Sequence, residues 1–340
     1  MRPVLKPSLR RRWRDAETVQ IGIEPAAGVL LTGLAPTDRD VLDLIDGTRT
    51  ESEIVQAAAG WGVVSARVTG LLEKLRRAGT LDDADAVDPL AALSFPDRER
   101  LRCEVAELSL HSGVPGAAAA AFGHRREATV LVAGAGRLGV PIAGLLVASG
   151  IGSVEISDPT PARPEDSLPA GLRDRDTGRP RQEAAVDVVP GVRIRRRTHG
   201  GSDAALVILA PPPGSDPTAA ERLRQDGVPH LAVDAVDGAS IVGPLRVPAR
   251  SACLRCLDVH RRDRDAAWVA ARDRGWPEAA GAALVVATAA SAVLQALTFL
   301  DEPFTGVAPA TLDGTLELRP PDWRLRRRTW PPHPDCGCAA

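Results

Sequence analysis

Two close cysteine pairs, Cys253-Leu-Arg-Cys256 and Cys336-Gly-Cys338, constrain this chain more than any other feature. Each pair can place two thiolates on one ion, and together they supply the four soft ligands of a closed tetrahedral zinc site. A site with no open position is structural, because water and substrate have nowhere to coordinate. Such a site would pin the last residues of the chain onto the body of a domain some 80 residues earlier. Two disulfides, or four unrelated thiols, are the alternatives. The second pair is C-x-C rather than C-x-x-C, and His333 stands close enough to replace one ligand. Cys103, the only other cysteine, reads as a buried inert thiol.

The second constraint is a change of pattern at Thr129. Thr129-Val-Leu-Val-Ala133 reads as a strand that runs into Gly134-Ala-Gly136-Arg-Leu-Gly139, then a helix through Val147 and a second strand, Ser153 to Asp158. The first glycine permits a tight turn, the second a close approach of phosphate, and the third the packing of helix on strand. The helix N-terminus favours an anion. Asp158 follows Gly139 by 19 residues, where a ribose-binding acid belongs. Leu206 to Ala210 and Val228 to Val233 read as further strands, and Arg193 to Arg197 as a strand edge or solvated turn. The alternation predicts a Rossmann-like α/β domain, mostly parallel, with a structural zinc site, over residues 128–340.

Residues 1–86 read as a separate winged-helix-like α+β module. Thr18–Ile23 and Gly28–Thr32 form a hairpin across a proline-containing turn. A helix starts at Thr37-Asp38, Thr50 and Glu53 cap a second, and Ser65 opens a third that carries Val68, Leu71, Leu72 and Leu75 before Gly79 stops it. A helical linker, 87–127, follows.

The net charge of −2 provides no basic field for nucleic acid. The N-terminal stretch lacks the apolar run of a signal peptide, and metal-suited cysteines favour a reducing cytoplasm. Ala282 to Leu300 carries no charge, but its alanines, Thr288, Ser291 and Gln295 suit a buried or dimer-interface helix better than a membrane span. The only lysines are Lys6 and Lys74, so nothing later can offer an ammonium to a phosphate.

The glycine loop, the acid ending the next strand and the two cysteine pairs together resemble the ThiF/MoeB family, relatives of ubiquitin-activating enzymes. Gly178-Arg-Pro-Arg181-Gln-Glu-Ala-Ala is similar to the family segment in which a lysine approaches ATP. The resemblance implies adenylation of a carboxylate with Mg-ATP in a homodimer. Gly134, Gly136, Gly139 and Asp158 would hold the nucleotide, and Arg181 would stand where the family has its lysine. Three departures weigh against that activity. Arg181 replaces the lysine, Asp166 to Gly171 lacks the family's asparagine and arginine, and Leu209-Ala210 followed by prolines replaces its metal-binding aspartate. Losing one such donor typically costs about 10²–10³ in rate.

Leu44 to Thr50, Glu53-Ile54-Val55 and Leu72 to Gly79 resemble the PqqD-type peptide-recognition element. Such elements bind a precursor's leader peptide as an added strand. Val19, Ile21, Val68, Leu71 and Leu75 would be the region of contact, unless they are the module's own core. A PqqD-like module joined to a degenerate ThiF-like domain resembles the partner of azoline-forming cyclodehydratases. That resemblance implies binding of the precursor peptide and presentation to a YcaO-type protein that uses the ATP. An active adenylyltransferase is the alternative. A winged-helix DNA regulator and a nicotinamide-dependent dehydrogenase fit less well, for want of a basic stripe and of a substrate domain.

Overall fold

The structure is a computed structural model that describes residues 1–23, 28–195, 203–211, 218–268 and 280–338. The chain divides into two compact units, Met1–His124 with Pro303–Gly306, and Arg125–Glu302 with Val307–Ala340.

The first unit opens with β1 (Pro3–Leu5), β2 (Arg11–Trp13), β3 (Val19–Ile21) and β4 (Val29–Leu31). Strands β2, β3 and β4 make a three-stranded antiparallel sheet with β3 in the middle. The turn that joins β3 to β4 lies outside the described residues. Three helices follow, α1 (Pro36–Asp43), α2 (Glu51–Ala59) and α3 (Ser65–Arg77), and then β5 (Leu81–Asp83), which pairs antiparallel with β1. The reciprocal cap of α2 is present: Glu53 N–H donates to Thr50 Oγ1 at 3.3 Å, and Thr50 N–H to Glu53 Oε2 at 2.7 Å. Gly79 ends α3 in a left-handed turn, φ +65°. Asp38 in α1 is buried and holds Arg67 of α3, with Arg67 Nε at 2.7 Å from Asp38 Oδ1. Helices α4 (Phe95–His111) and α5 (Ala117–Glu127) cover the stretch expected to be a helical linker. Lys6 is buried and donates to the Ser112 carbonyl, just past the end of α4, at 2.6 Å. Cys103, expected inside, is exposed on α4.

The second unit is built on an eight-stranded sheet. Its elements are β6 (Thr129–Ala133), α6 (Gly139–Ala148), β7 (Ser153–Ser157), α7 (Arg181–Val188), β8 (Val192–Ile194), β9 (Leu206–Leu209), α8 (Ala219–Gln225), β10 (His230–Val236), β11 (Ala239–Arg246), α9 (Leu254–Arg264), α10 (Ala282–Thr305), β12 (Gly314–Arg319) and β13 (Arg324–Thr329). The sheet order is β13-β12-β11-β10-β9-β6-β7-β8. The five strands from β8 to β10 are parallel, whereas β11, β12 and β13 add antiparallel. In the parallel part the chain winds outward from β6 in both directions, so the crevice where the winding reverses opens beyond the ends of β6 and β9. Among the expected segments, Arg196 and Arg197 lie outside the described residues.

Helix α10 is long and apolar enough to cross a membrane by length and composition alone. Its inward residues, among them Leu284, Val285, Ala289, Val293 and Leu300, belong to the core of the sheet domain. It is a core helix of the second unit, and it leaves Val286 and Leu294 exposed.

Candidate functional site

The cysteines converge as their spacing predicts. Cys253 caps α9 and Cys256 stands in its first turn, while Cys336 ends a short 3₁₀ turn, Pro334–Cys336. Gly337 sits between Cys336 and Cys338 with φ +66°, a left-handed conformation in which glycine is unstrained, and it folds the C-x-C pair back on itself. The Sγ atoms of Cys253 and Cys336 are 3.5 Å apart, those of Cys256 and Cys338 3.2 Å, and those of Cys253 and Cys256 3.9 Å. These separations are too long for disulfides and close to the roughly 3.8 Å tetrahedral edge that ~2.3 Å Zn–S bonds dictate. All four side chains are buried.

The thiol hydrogen bond from Cys253 pulls Cys256 down to about 4, and the same contact pushes Cys253 far above the thiol range. Burial pushes Cys336 up to about 11. Buried thiolates need a compensating cation, and four of them converging on one point make a ligand set for a divalent ion. A zinc ion held by Cys253, Cys256, Cys336 and Cys338 would supply a cross-link and no reactive position.

His333 is not spare for that ion. Its Nδ1 accepts from Asp335 N–H at 3.1 Å, which leaves the ring proton on Nε2, 2.8 Å from Asp263 Oδ2. Its own N–H donates to Cys256 Sγ at 3.4 Å. Arg246, buried at the end of β11, completes the staple that the sequence did not signal: Nη2 donates to the Cys338 carbonyl at 2.7 Å and Nη1 to the Ser251 carbonyl at 2.8 Å. His260 Nε2 stands 2.9 Å from the Pro331 carbonyl, on the approach to the second pair.

The glycine loop lies at the crevice. A Cβ on Gly134 would stand 2.0 Å from the Ala210 carbonyl oxygen, and one on Gly139 would stand 1.9 Å from that of Gly134. Both glycines are therefore demanded by backbone crossing backbone, whether or not a phosphate ever enters. Gly136 lies in the same loop, and its carbonyl accepts from Val140 N–H at the start of α6. Pro212 and Pro213, beyond β9, lie outside the described residues.

The polar groups of this crevice are engaged with one another. Asp158, buried at the end of β7, accepts from Ala135 N–H at 2.9 Å through Oδ2, and from the Thr160 N–H and hydroxyl through Oδ1. Arg181 is buried at the start of α7. Its Nε donates to Asp166 Oδ2 and its Nη1 to Thr160 Oγ1, each at 2.7 Å. Asp166 is buried as well. Arg137, inside the loop, turns onto the carbonyls of Glu165 and Ala280. Arg179, a cation that could have compensated, pairs with Asp176 and Asp187.

In the first unit, the side chains of Val19, Ile21, Val68, Leu71 and Leu75 pack together in the module's core, and all are buried. Strand β3 is hydrogen-bonded on both edges, so among the described residues the open edges of this sheet are β2 and β4. Leu30 on β4 and Ile23 just past β3 are exposed.

No protein-family model matches the sequence, and no curated protein matches it. The three-dimensional match is extensive. E. coli MccB, solved with succinimide, superposes with a TM-score of 0.75 at 13% identity, over 100% of this chain and 99% of that one. The microcin C7 biosynthetic enzyme MccB in complex with N-formylated MccA gives 0.74 at 13%, over 100% of both chains. This chain has the fold of MccB. PaaA gives 0.67 at 18% identity, over 96% of this chain and 100% of that one. MccB has also been solved with ATP, at 12% identity to this chain. At these identities the likeness is one of fold, and it extends over the whole chain.

Proposed function

We propose that this protein binds a ribosomally made precursor peptide and presents it to a separate YcaO-type enzyme that consumes the ATP, its own nucleotide site having fallen out of use. The observation that carries this reading is the commitment of Arg181. The one cation at the position of the family's lysine is buried, ion-paired to Asp166 and hydrogen-bonded to Thr160. A triphosphate entering the crevice would have to break a desolvated ion pair, and breaking such a pair costs about 3–5 kcal/mol. Asp158, the candidate ribose ligand, accepts at both carboxylate oxygens, from the loop amide and from Thr160.

The peptide half of the reading rests on the fold of MccB, a protein solved with its peptide MccA, and on the open edge of β4. An extended leader can add to that edge through main-chain hydrogen bonds, with Leu30 and Ile23 offering apolar contacts. Val19, Ile21, Val68, Leu71 and Leu75 then support that sheet from within as core. Zinc on the four cysteines is structural. The exposed Val286 and Leu294 of α10 suit a homodimer, and the cytoplasm suits reduced zinc thiolates. An active Mg-ATP-dependent adenylyltransferase remains the second reading, carried by the retained glycine loop and Asp158.

The test is a reconstitution. Release of AMP and ADP is followed with the zinc-loaded protein and precursor peptide alone, and again with a YcaO-type enzyme added. Nucleotide turnover only in the second case supports presentation; AMP release by the protein and peptide alone overturns it.

A further inference from the structure

The far edge of the sheet domain carries a concentration of positive charge that neither the zinc site nor the crevice uses. Strand β13, Arg324-Leu-Arg-Arg-Arg-Thr329, ends the eight-stranded sheet, and all six of its residues are exposed. Its outer main-chain edge has no partner strand among the described residues. Side chains alternate across a strand, so Arg324, Arg326 and Arg328 share one face. Register places Arg319 opposite Arg324 and Glu317 opposite Arg326, on that same face.

At one end of this row stands Trp330, whose indole is buried and donates from Nε1 to Thr315 Oγ1 at 3.0 Å. The guanidinium carbons of Arg261, Arg264 and Arg328 lie 5.5, 5.4 and 4.6 Å from its ring centroid. None of these three side chains makes a hydrogen bond or an ion pair among the described residues. Burial pushes Arg261 below its ordinary value, and the charges of Arg328 and Arg319 push it the same way, against Asp258 and Glu317. Contact with an indole face compensates such crowding only partly, by about 0.5–2 kcal/mol for each cation. Arg324 and Arg326 share the single carboxylate of Asp322 at the turn, and Arg319 pairs with Glu317. The face therefore holds like charges without enough carboxylates to balance them.

We propose that β13 is a docking edge for an acidic, extended segment of a partner protein, which adds as a strand and lays alternate carboxylates over Arg324, Arg326 and Arg328, beside the Arg261–Arg264 pair. Alternate residues of an added strand repeat every ~6.6–6.8 Å, as do the arginines of β13. Guanidinium groups take carboxylates bidentately, and an exposed main-chain edge supplies the hydrogen bonds of strand addition. A second copy of this chain does not fit. Antiparallel pairing of β13 with itself would set arginine against arginine across the seam, which is the usual protection of an open edge against self-association. A nucleic acid fits less well, because it makes no use of the strand edge. This inference is independent of the state of the nucleotide crevice.

The probe is a fluorescein-labelled acetyl-Val-Glu-Val-Glu-Val-Glu-Val-amide peptide, titrated with the full-length zinc-loaded protein at low salt and followed by fluorescence anisotropy. Three comparison probes are its Gln counterpart, a version N-methylated at alternate backbone nitrogens, and an oligothymidylate of similar charge. The account expects saturable binding of the Glu peptide, weakened at least tenfold in Arg324→Glu/Arg328→Glu and by an intermediate factor in the milder Arg324→Gln/Arg328→Gln. It expects little binding of the Gln and N-methylated peptides, and no change in the control Arg193→Glu. Equal binding of the Gln peptide, tighter binding of the oligonucleotide, or a Glu-peptide affinity unchanged in both arginine variants would overturn it.

Discussion

Arg181 and Asp166 form a buried ion pair in the crevice of the sheet domain, with Nε 2.7 Å from Oδ2 and both side chains withdrawn from solvent. Fourteen residues lie between them in the chain, yet they meet where the ThiF/MoeB-like resemblance would place an asparagine and a lysine facing ATP. Each side chain thereby neutralises the other's charge inside the fold.

Removal of one partner should therefore damage stability rather than chemistry. Asp166→Asn leaves a buried guanidinium without its carboxylate and should cost about 3–5 kcal/mol. The double variant Asp166→Leu/Arg181→Met should recover much of that loss, because the desolvation cost disappears with the pair. Urea unfolding of Asp166→Leu, Arg181→Met and the double variant checks this. Strict additivity would mean that the two side chains are not coupled.

Gly134 should be intolerant for reasons of packing. A Cβ there meets the Ala210 carbonyl oxygen at 2.0 Å, with φ at +121°. Gly134→Ala should lose more than about 3 kcal/mol, by thermal or chemical denaturation, with no nucleotide present. A stable variant would mean that the loop and the end of β9 are further apart than described.

The cysteine cluster should hold one zinc per chain. Cys256→Ser removes the sulfur that most readily ionises, and it should reduce the metal content to near zero. It should also lower Tm on the order of 10 °C, because the binding energy of a structural metal is folding energy. His333→Asn should keep the metal, since that ring is committed to Asp263 and Asp335. Metal analysis of the purified variants distinguishes the two outcomes. Zinc affinity should also fall as pH falls, because Cys253 and Cys336 must release protons to bind.

Asp38 ties α1 to α3 and carries a definite pH signature. Burial raises its carboxyl, but the hydrogen bonds and charge of Arg67 and the Ala35 N–H together hold it below its ordinary value. A carboxyl depressed in the folded state stabilises above its unfolded pKa, near 4, and that stabilisation fades as pH falls through the folded value. Asp38→Asn should therefore lower Tm at pH 7, with a difference from the parent that shrinks below about pH 4. A pH-independent difference would assign the effect to packing instead.

The sequence was most legible where function depends on short spacing. The two cysteine pairs, the strand–glycine loop–helix run and the Thr50–Glu53 cap are all local patterns, and each folds as its spacing implies. Strands β1 and β2, three residues each, are too short for alternation to show. Arg246, which fastens the zinc region, finds its partner Cys338 far away in sequence, and no periodicity marks it. The apolar residues Val19, Ile21, Val68, Leu71 and Leu75 show the opposite limit. Sequence shows that they are apolar and on one face, but only the fold shows that the face points inward.

Calorimetric titration of Mg-ATP into the zinc-loaded protein tests the central claim most directly. With Arg181 locked to Asp166 and Asp158 engaged by the loop, no saturable heat is expected up to millimolar nucleotide. Binding at micromolar levels, lost in Arg181→Ala, would contradict the account and return the protein to the adenylyltransferases.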